Sequence, residues 1–170
     1  MQIKYINTPI DEETIAELNV GDVVSISGYI YCGRDAVLPH ICKEIDNGIW
    51  YQRGIDLRGG IIFHTAVSPA GVGPTSSNKL EIESSFETLS KAGIKMHLGK
   101  GSIKLETVKA LAANNSVFAI IPPVTALLES QTLERECVAF PELDMEALYR
   151  IKVENYQAII AAAKGVSIYE

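Results

Sequence analysis

The sequence predicts an α/β fold with a mixed sheet, formed by a single domain over residues 1–170. Strand and helix patterns alternate through the middle of the chain, which implies parallel strands joined by crossover helices. From Glu134 onward, strand patterns follow one another, which implies antiparallel pairing. Hydrophobic residues make up 47% of the 170 and charged residues 21%, so the chain can bury one sizeable core.

The first third of the chain is predicted to contain a helix, a strand and a second helix. In "NTPIDEETIAEL", Thr8 is the predicted N-cap, Pro9 takes the first helical position and Asp11 lies in the first turn. A β-rich strand then covers residues 23–31. The second helix depends on apolar residues at helical spacing: Ala36, Val37, Ile41 and Ile45.

The alternation continues in the middle of the chain. The predicted order is a buried strand in "RGGIIFHTAV", a helix in "NKLEIESSFETLSKAG", a strand in "IKMHLGKGS", a helix in "IKLETVKALAANN" and a strand in "SVFAIIPP". Ser102 is the predicted N-cap of the second of these helices. The last part reads as three strands, in "ERECVAF", "ALYRIKVENY" and "AIIAAAKGVSIYE", with a hairpin turn at Lys164-Gly165.

Charge and hydropathy exclude several classes of function. The net charge is −6 and no cluster of basic residues compensates for it, which argues against a nucleic-acid partner. No apolar run reaches the roughly 18–20 residues of a membrane helix, and the start lacks a signal-peptide core. We therefore expect a soluble, cytoplasmic protein. Cys32, Cys42 and Cys137 form no metal-binding spacing, so we expect three reduced, mostly buried cysteines.

Three glycine-marked loops each follow a strand and lead into a helix. They are "CGRDA" with Arg34, "GPTSSNK" with Thr75, Ser76 and Lys79, and "GKGS" with Lys100. Ligands of α/β folds gather at the carboxyl ends of parallel strands, and helix N-termini favour anions. Arginine can bind a carboxylate with two parallel hydrogen bonds. The three loops therefore predict a pocket for a small molecule with more than one negative group.

A structural interpretation of the same loops stays open. Ser77 or Asn78 can simply cap the following helix, with Glu81 completing a capping box. For His64 and His97 we favour satisfied core histidines over site groups. The order of residues matches neither a nucleotide P-loop nor a Rossmann fingerprint.

At these motifs the sequence resembles a known family. The stretches "LNVGDVVSISGYIYCGRDA", "GVGPTSSNKLE", "GKGS" and "MEALYRIKVENY" resemble, in the same order, the β subunit or C-terminal domain of class I iron–sulfur fumarate hydratases and L-tartrate dehydratases. The resemblance implies a three-layer β/β/α swivelling domain. It also implies a hydro-lyase that adds water to fumarate to give (S)-malate, with L-tartrate dehydratase as the alternative.

The resemblance further implies a partner α subunit that carries the [4Fe–4S] cluster, in an α2β2 heterotetramer. The cluster acts in the family as a Lewis acid toward the substrate. The family's carboxylate-binding residues fall on Arg34 and Lys100, and its proton-transfer threonine falls on Thr75. Lys79 and Ser76 complete the implied substrate-binding set, and none of these residues binds a metal.

The sequence departs from the family pattern at two places. The family usually has arginine where Lys79 stands, and lysine lacks the bidentate fork. Where the family often continues R-D-A-A-H, this chain has "RDAVLPH", so we assign His40 no role. Two other readings stay open besides the enzyme subunit: a stand-alone dicarboxylate-binding module, and a structural subunit whose loops only cap helices.

Overall fold

The computed structural model describes residues 2–65, 67–68, 71–72, 79–121 and 131–168. In chain order its elements are β1 (Ile3–Asn7), α1 (Glu12–Ala16), β2 (Val23–Cys32), α2 (Leu38–Asp46), a 3₁₀ helix (Trp50–Arg53), β3 (Gly60–Phe63), β4 (Val67–Ser68), β5 (Gly71–Val72), α3 (Lys79–Lys91), β6 (Ile94–Gly99), α4 (Leu105–Ala113), β7 (Val117–Ile120), β8 (Thr132–Ala139), a second 3₁₀ helix (Pro141–Glu146), β9 (Leu148–Ala163) and β10 (Val166–Ser167).

The main sheet is mixed, as the sequence predicts. Strands β1, β2, β3, β6 and β7 run parallel in that spatial order. Strand β9 runs antiparallel to both β7 and β2, so β2, β3, β6, β7 and β9 close into a ring. β8 and β10 pair with β9 outside this ring. The closure means that the last long strand, β9, holds β2 and β7 together.

Strand β9 corrects one prediction. The sequence was expected to form two separate strands in "ALYRIKVENY" and "AIIAAAKGVSIYE", but β9 is continuous over 16 residues. Asn155 adopts a positive φ of 56°, and here three residues of β9 span the distance that two residues of β2 span. This bulge changes which residues face inward, so Val153 and Tyr156 both point into the same core.

Apolar side chains pack on both faces of the strands. Ile61 and Phe63 of β3 join the cluster inside the ring, whereas Ile62 faces the opposite way, toward α2 and α3. This alternation is the period of two that a β-strand imposes. Burying one such side chain contributes about 1.5–3 kcal/mol. The helix-facing cluster of Ile62 contains Val37, Leu38, Ile41, Trp50, Leu57, Leu89, Ile94, Ala139, Phe140 and Leu148.

Two predicted helix caps are wrong. The N-cap of α1 is Asp11, whose carboxylate accepts a hydrogen bond from the Thr14 amide. Thr8 instead donates its hydroxyl to the carbonyl of Tyr29, because it lies against β2. Helix α4 begins three residues after Ser102, with Lys104 at the N-cap and no side-chain hydrogen bond there.

Within the described ranges, no helix has both the length and the apolar composition needed to cross a membrane. The cytoplasmic location stays a prediction. The predicted short segment at residues 124–130 lies outside the described residues.

Candidate active site

Three neighbouring parallel strands end side by side at one edge of the sheet. Cys32 of β2 pairs with Phe63 of β3, and Phe63 pairs with Leu98 of β6. Arg34, His64 and Lys100 follow these strand ends. Because adjacent strands lie about 4.8 Å apart, the ends of β2 and β6 are separated by roughly 10 Å, with the end of β3 between them. The structure thus brings two of the predicted cations to one edge.

Arg34 lies in the turn between β2 and α2 and is held by a carboxylate. Its Nε atom donates to Oε1 of Glu146 over 2.9 Å, and its Nη2 atom donates to Oε2 over 3.3 Å. Asp35 Oδ1 lies 3.7 Å from the Arg34 Nε. The hydrogen bonds to Glu146 raise the pKa of Arg34 above its usual value, and the charges of Glu146 and Asp35 add to this effect.

Glu146 reaches Arg34 because β9 is antiparallel to β2. Cys32, the last residue of β2, pairs with Tyr149 near the start of β9. The residues that follow β2 therefore meet the residues that precede β9. No role was predicted for Glu146, although it lies in the stretch "MEALYRIKVENY" that resembles the family. The available signal was an acidic residue directly before a strand that pairs with β2, and the pairing itself could not be read from the sequence.

Lys100 occupies an exposed bend directly after β6. Gly101 next to it has a positive φ of 77°, a conformation that glycine adopts without steric cost. The chain then turns into α4, which begins at Leu105. The bend therefore presents the lysine at the same strand edge as Arg34.

His64 and His97 form a buried hydrogen-bonded pair on the helix side of the sheet. His64 Nε2 lies 3.0 Å from His97 Nδ1, and His97 Nε2 lies 2.9 Å from the hydroxyl of Ser90 in α3. The ring of Phe86 stacks against His97, with 4.3 Å between centroids, and packs at a tilt of 31° against His64, with 4.6 Å between centroids. Both histidines are core residues, as the sequence favoured, although His64 Nδ1 is buried without a hydrogen-bond partner in the described part of the chain.

Counting hydrogens assigns the tautomers of this pair. Among the described residues the Ser90 hydroxyl contacts only His97, so the hydroxyl donates to His97 Nε2. His97 then carries its proton on Nδ1 and donates it to His64 Nε2, which leaves the His64 proton on Nδ1. If both hydrogen bonds ran in the opposite direction, His97 would donate to the Ser90 oxygen. The Ser90 proton would then lack an acceptor, in addition to the unpaired Nδ1 of His64. Burial lowers the pKa of His64 to about 3 and that of His97 well below its usual value, so both rings are neutral.

The other predicted site residues are not described, or are described only by their backbone. Thr75 and Ser76 lie outside the described residues. Lys79 is the first residue of α3, but its side chain is also outside the described set. His40 is exposed on α2 and packs against Phe140, with 5.5 Å between ring centroids.

The cysteines of this chain do not fit an iron–sulfur cluster. Cys32 is in the core inside the ring, Cys42 is half-buried on α2, and Cys137 is exposed on β8. Burial raises the pKa of Cys42 to about 11 and also raises that of Cys32, which disfavours the thiolates that a cluster needs. No group of three potential metal ligands comes together in the ranges that the structure covers.

Comparison with known proteins decides the family. The family described as Fumarase C-terminus matches residues 2–170, nearly the whole chain. The chain belongs to the Fumarase C-terminus family. Membership confirms the resemblance drawn from the motifs around Arg34, Thr75 and Lys100.

Relatives of two kinds share this family. A Geobacillus stearothermophilus protein assigned as a class I fumarate hydratase is 30% identical over 97% of this chain, which spans only 33% of that protein. The L(+)-tartrate dehydratase subunit beta of Escherichia coli K12 is 29% identical over 94% of this chain and 82% of its own length. A Methanocaldococcus jannaschii protein assigned to the same subunit is 29% identical over 99% of this chain and 92% of its own. The chain therefore spans about a third of the fumarate hydratase and most of the two β subunits.

Proposed function

We propose that this chain is the β subunit of a hydro-lyase that reversibly hydrates fumarate to (S)-malate at a site shared with an α subunit. One observation carries the proposal. In a chain that matches the Fumarase C-terminus family throughout, Arg34 and Lys100 follow parallel strands at one sheet edge, separated by a single strand. Two cations at about that separation suit the two carboxylates of a four-carbon diacid.

In the proposed site each residue has one role. Arg34 binds one substrate carboxylate through its guanidinium, and Lys100 binds the other as a point charge. Thr75 transfers the proton, together with a basic group from the α subunit, because a threonine hydroxyl alone is a weak base. Ser76 and Lys79 assist in substrate binding. The [4Fe–4S] cluster belongs to the α subunit, because the cysteines of this chain do not fit one.

L-tartrate is a second candidate substrate, and one observation favours it. The relatives that this chain matches over most of their length, 82% and 92%, are tartrate dehydratase β subunits. Tartrate and malate are both hydroxy-diacids, so the same pair of cations suits either. Lys79, which replaces the family's usual arginine, is where we expect the choice of substrate to be adjusted.

We further propose the three-layer β/β/α swivelling arrangement for residues 1–170 as one domain. It is supported by one core enclosed by strands and a second core under α2 and α3. The α2β2 stoichiometry stays a prediction, which light scattering on the purified complex would measure.

The test is activity of the reconstituted complex. The chain is produced with its α subunit without oxygen, and rates are measured on fumarate, malate and L-tartrate. Arg34→Ala should lower kcat/KM at least 100-fold, because a charge-assisted bidentate contact contributes about 3 kcal/mol. Lys100→Ala should lower it about 10-fold or more.

Two matched variants control for folding and net charge. Arg53→Ala removes an arginine that pairs with Glu44 away from the strand ends, and Lys109→Ala removes an exposed lysine of α4. Both should leave kcat/KM within about twofold of the parent. If no diacid is turned over, the enzyme proposal is wrong. Dicarboxylate binding by the isolated chain in calorimetry would then support the binding module.

A further inference from the structure

The contact between Glu146 and Arg34 occupies one particular edge of the guanidinium. A guanidinium has a side-on fork, formed by Nε and Nη2, and an end-on fork, formed by Nη1 and Nη2. Glu146 accepts from Nε over 2.9 Å and from Nη2 over 3.3 Å, so it engages the side-on fork. A second carboxylate that binds this arginine with two parallel hydrogen bonds must therefore meet the end-on fork.

The backbone around Glu146 is itself firmly anchored. The two residues that follow, Ala147 and Leu148, are each only 1% exposed. Within the second 3₁₀ helix, Asp144 holds a positive φ of 52°, and its carbonyl accepts hydrogen bonds from the Ala147 amide and the Tyr149 hydroxyl. Non-glycine residues keep such a conformation only where their surroundings determine it. The carboxylate of Glu146 thus starts from a fixed point of the fold.

By charge alone, the carboxylate of Glu146 weakens the binding of a dianion to this site. Glu146, together with Asp35, puts negative charge within 4 Å of the arginine and so opposes the approach of a second anion. Its favourable contribution has to be geometric. Arginine has several rotatable bonds, and a guanidinium held by one fork loses less freedom when its other fork binds a ligand.

We infer that Glu146 is a positioning residue: it holds the side-on fork of Arg34 so that the end-on fork is oriented toward the substrate carboxylate. This inference rests on the proposed function of Arg34. It adds a residue that follows Arg34 by more than a hundred positions and does not itself touch the substrate. The two side chains are partly exposed, at 22% for Arg34 and 32% for Glu146.

Two substitutions separate geometry from charge. Glu146→Gln keeps the length of the side chain but removes the charge and one of the two acceptors. Glu146→Asp keeps the charge but is one methylene too short to reach both nitrogens. Positioning predicts that both variants raise KM for the diacid about 10-fold in the reconstituted complex, with a smaller change in kcat. Charge alone predicts that Gln lowers KM and that Asp leaves it unchanged.

The matched control is Glu44→Gln. Glu44 holds the side-on fork of Arg53 in the same way, at 2.6 Å and 2.7 Å, between α2 and the first 3₁₀ helix. It should lower the melting temperature by about as much as Glu146→Gln and leave KM unchanged. An unchanged or lower KM in Glu146→Gln would overturn the inference, and so would an equal rise of KM in Glu44→Gln.

A spectroscopic readout on the chain itself distinguishes failure of this inference from failure of the proposed function. In ¹⁵N NMR the Nε–H of Arg34 should exchange slowly with water in the parent chain and at least about 10-fold faster in both Glu146 variants. Arg53 serves as the internal reference. Fast exchange in the parent chain would overturn the inference whatever the enzyme does. Slow exchange without turnover of any diacid would instead contradict the proposed function alone.

Discussion

At the scale of single residues, the buried pair of His64 and His97 makes stability depend on pH. Both rings are neutral in the folded chain because burial lowers their pKa values, to about 3 for His64. In the unfolded chain each has a pKa near 6.5. Between these values the unfolded state binds more protons, so stability falls as pH falls below 6.5. Above pH 6.5 their effect is fully present and constant.

We expect the free energy of unfolding to drop by about 1.6 kcal/mol per histidine between pH 6.5 and 5. His97→Gln should roughly halve this slope, because only His64 then changes its protonation on unfolding. Urea unfolding at pH 7.5, 6 and 5 measures how the free energy of unfolding changes with pH in each chain. The window lies above the lowered pKa values of Asp11, Asp22, Asp56 and Glu44, which act at lower pH.

His40→Gln is the control, because His40 is exposed on α2. Its slope should equal that of the parent chain. Equal slopes in the parent chain and in His97→Gln would contradict the assignment of neutral, buried rings.

At the scale of elements, the bulge between β2 and β9 depends on Gly28. Gly28 has a φ of +114°, and a Cβ there would lie 2.4 Å from the hydroxyl oxygen of Thr8. Thr8 cannot easily move away. Its amide donates to the carbonyl of Ser27 over 3.1 Å and its hydroxyl donates to the carbonyl of Tyr29 over 2.8 Å, on either side of the glycine. The segment that leads into α1 is thus hydrogen-bonded to β2 at the position of the bulge.

Gly28→Ala should therefore lower the free energy of unfolding by about 3 kcal/mol or more, from backbone strain and the clash together. Gly21→Ala is the comparison, because Gly21 has a φ of +91° with no atom within 4 Å of the added Cβ. Gly21→Ala should lower the free energy of unfolding by the backbone strain alone, about 1 kcal/mol. Chemical denaturation measures the free energy of unfolding of both variants. If both lose a similar amount of stability, Thr8 moves away from the added Cβ at little cost, which contradicts the prediction.

At the scale of the whole molecule, β9 closes the sheet. It pairs with β2, β7, β8 and β10, which are spread over nearly the whole chain. A chain that ends after Asn155 loses the half of β9 that reaches β7 and the first half of β2. We expect it to lose cooperative urea unfolding, because the ring core of Tyr156, Ala158 and Ile160 is removed.

A chain that ends after Gly165 lacks only β10 and should still unfold in one cooperative transition. Circular dichroism during urea titration compares the two truncated chains with the parent. Cooperative unfolding of the shorter chain would mean that the parallel strands are stable without closure by β9.

The sequence alone determined the local elements and the chemistry at their ends. The periods of two and of 3.6 residues identified most strands and helices, and the glycine loops identified Arg34 and Lys100, because these signals lie within a few neighbouring residues. Only the tertiary structure decided the continuity of β9, the partner of Arg34 and the pairing of His64 with His97. The contact between Arg34 and Glu146, for example, joins residues 112 positions apart. Strand pairing sets these contacts, and no local pattern encodes which strands pair.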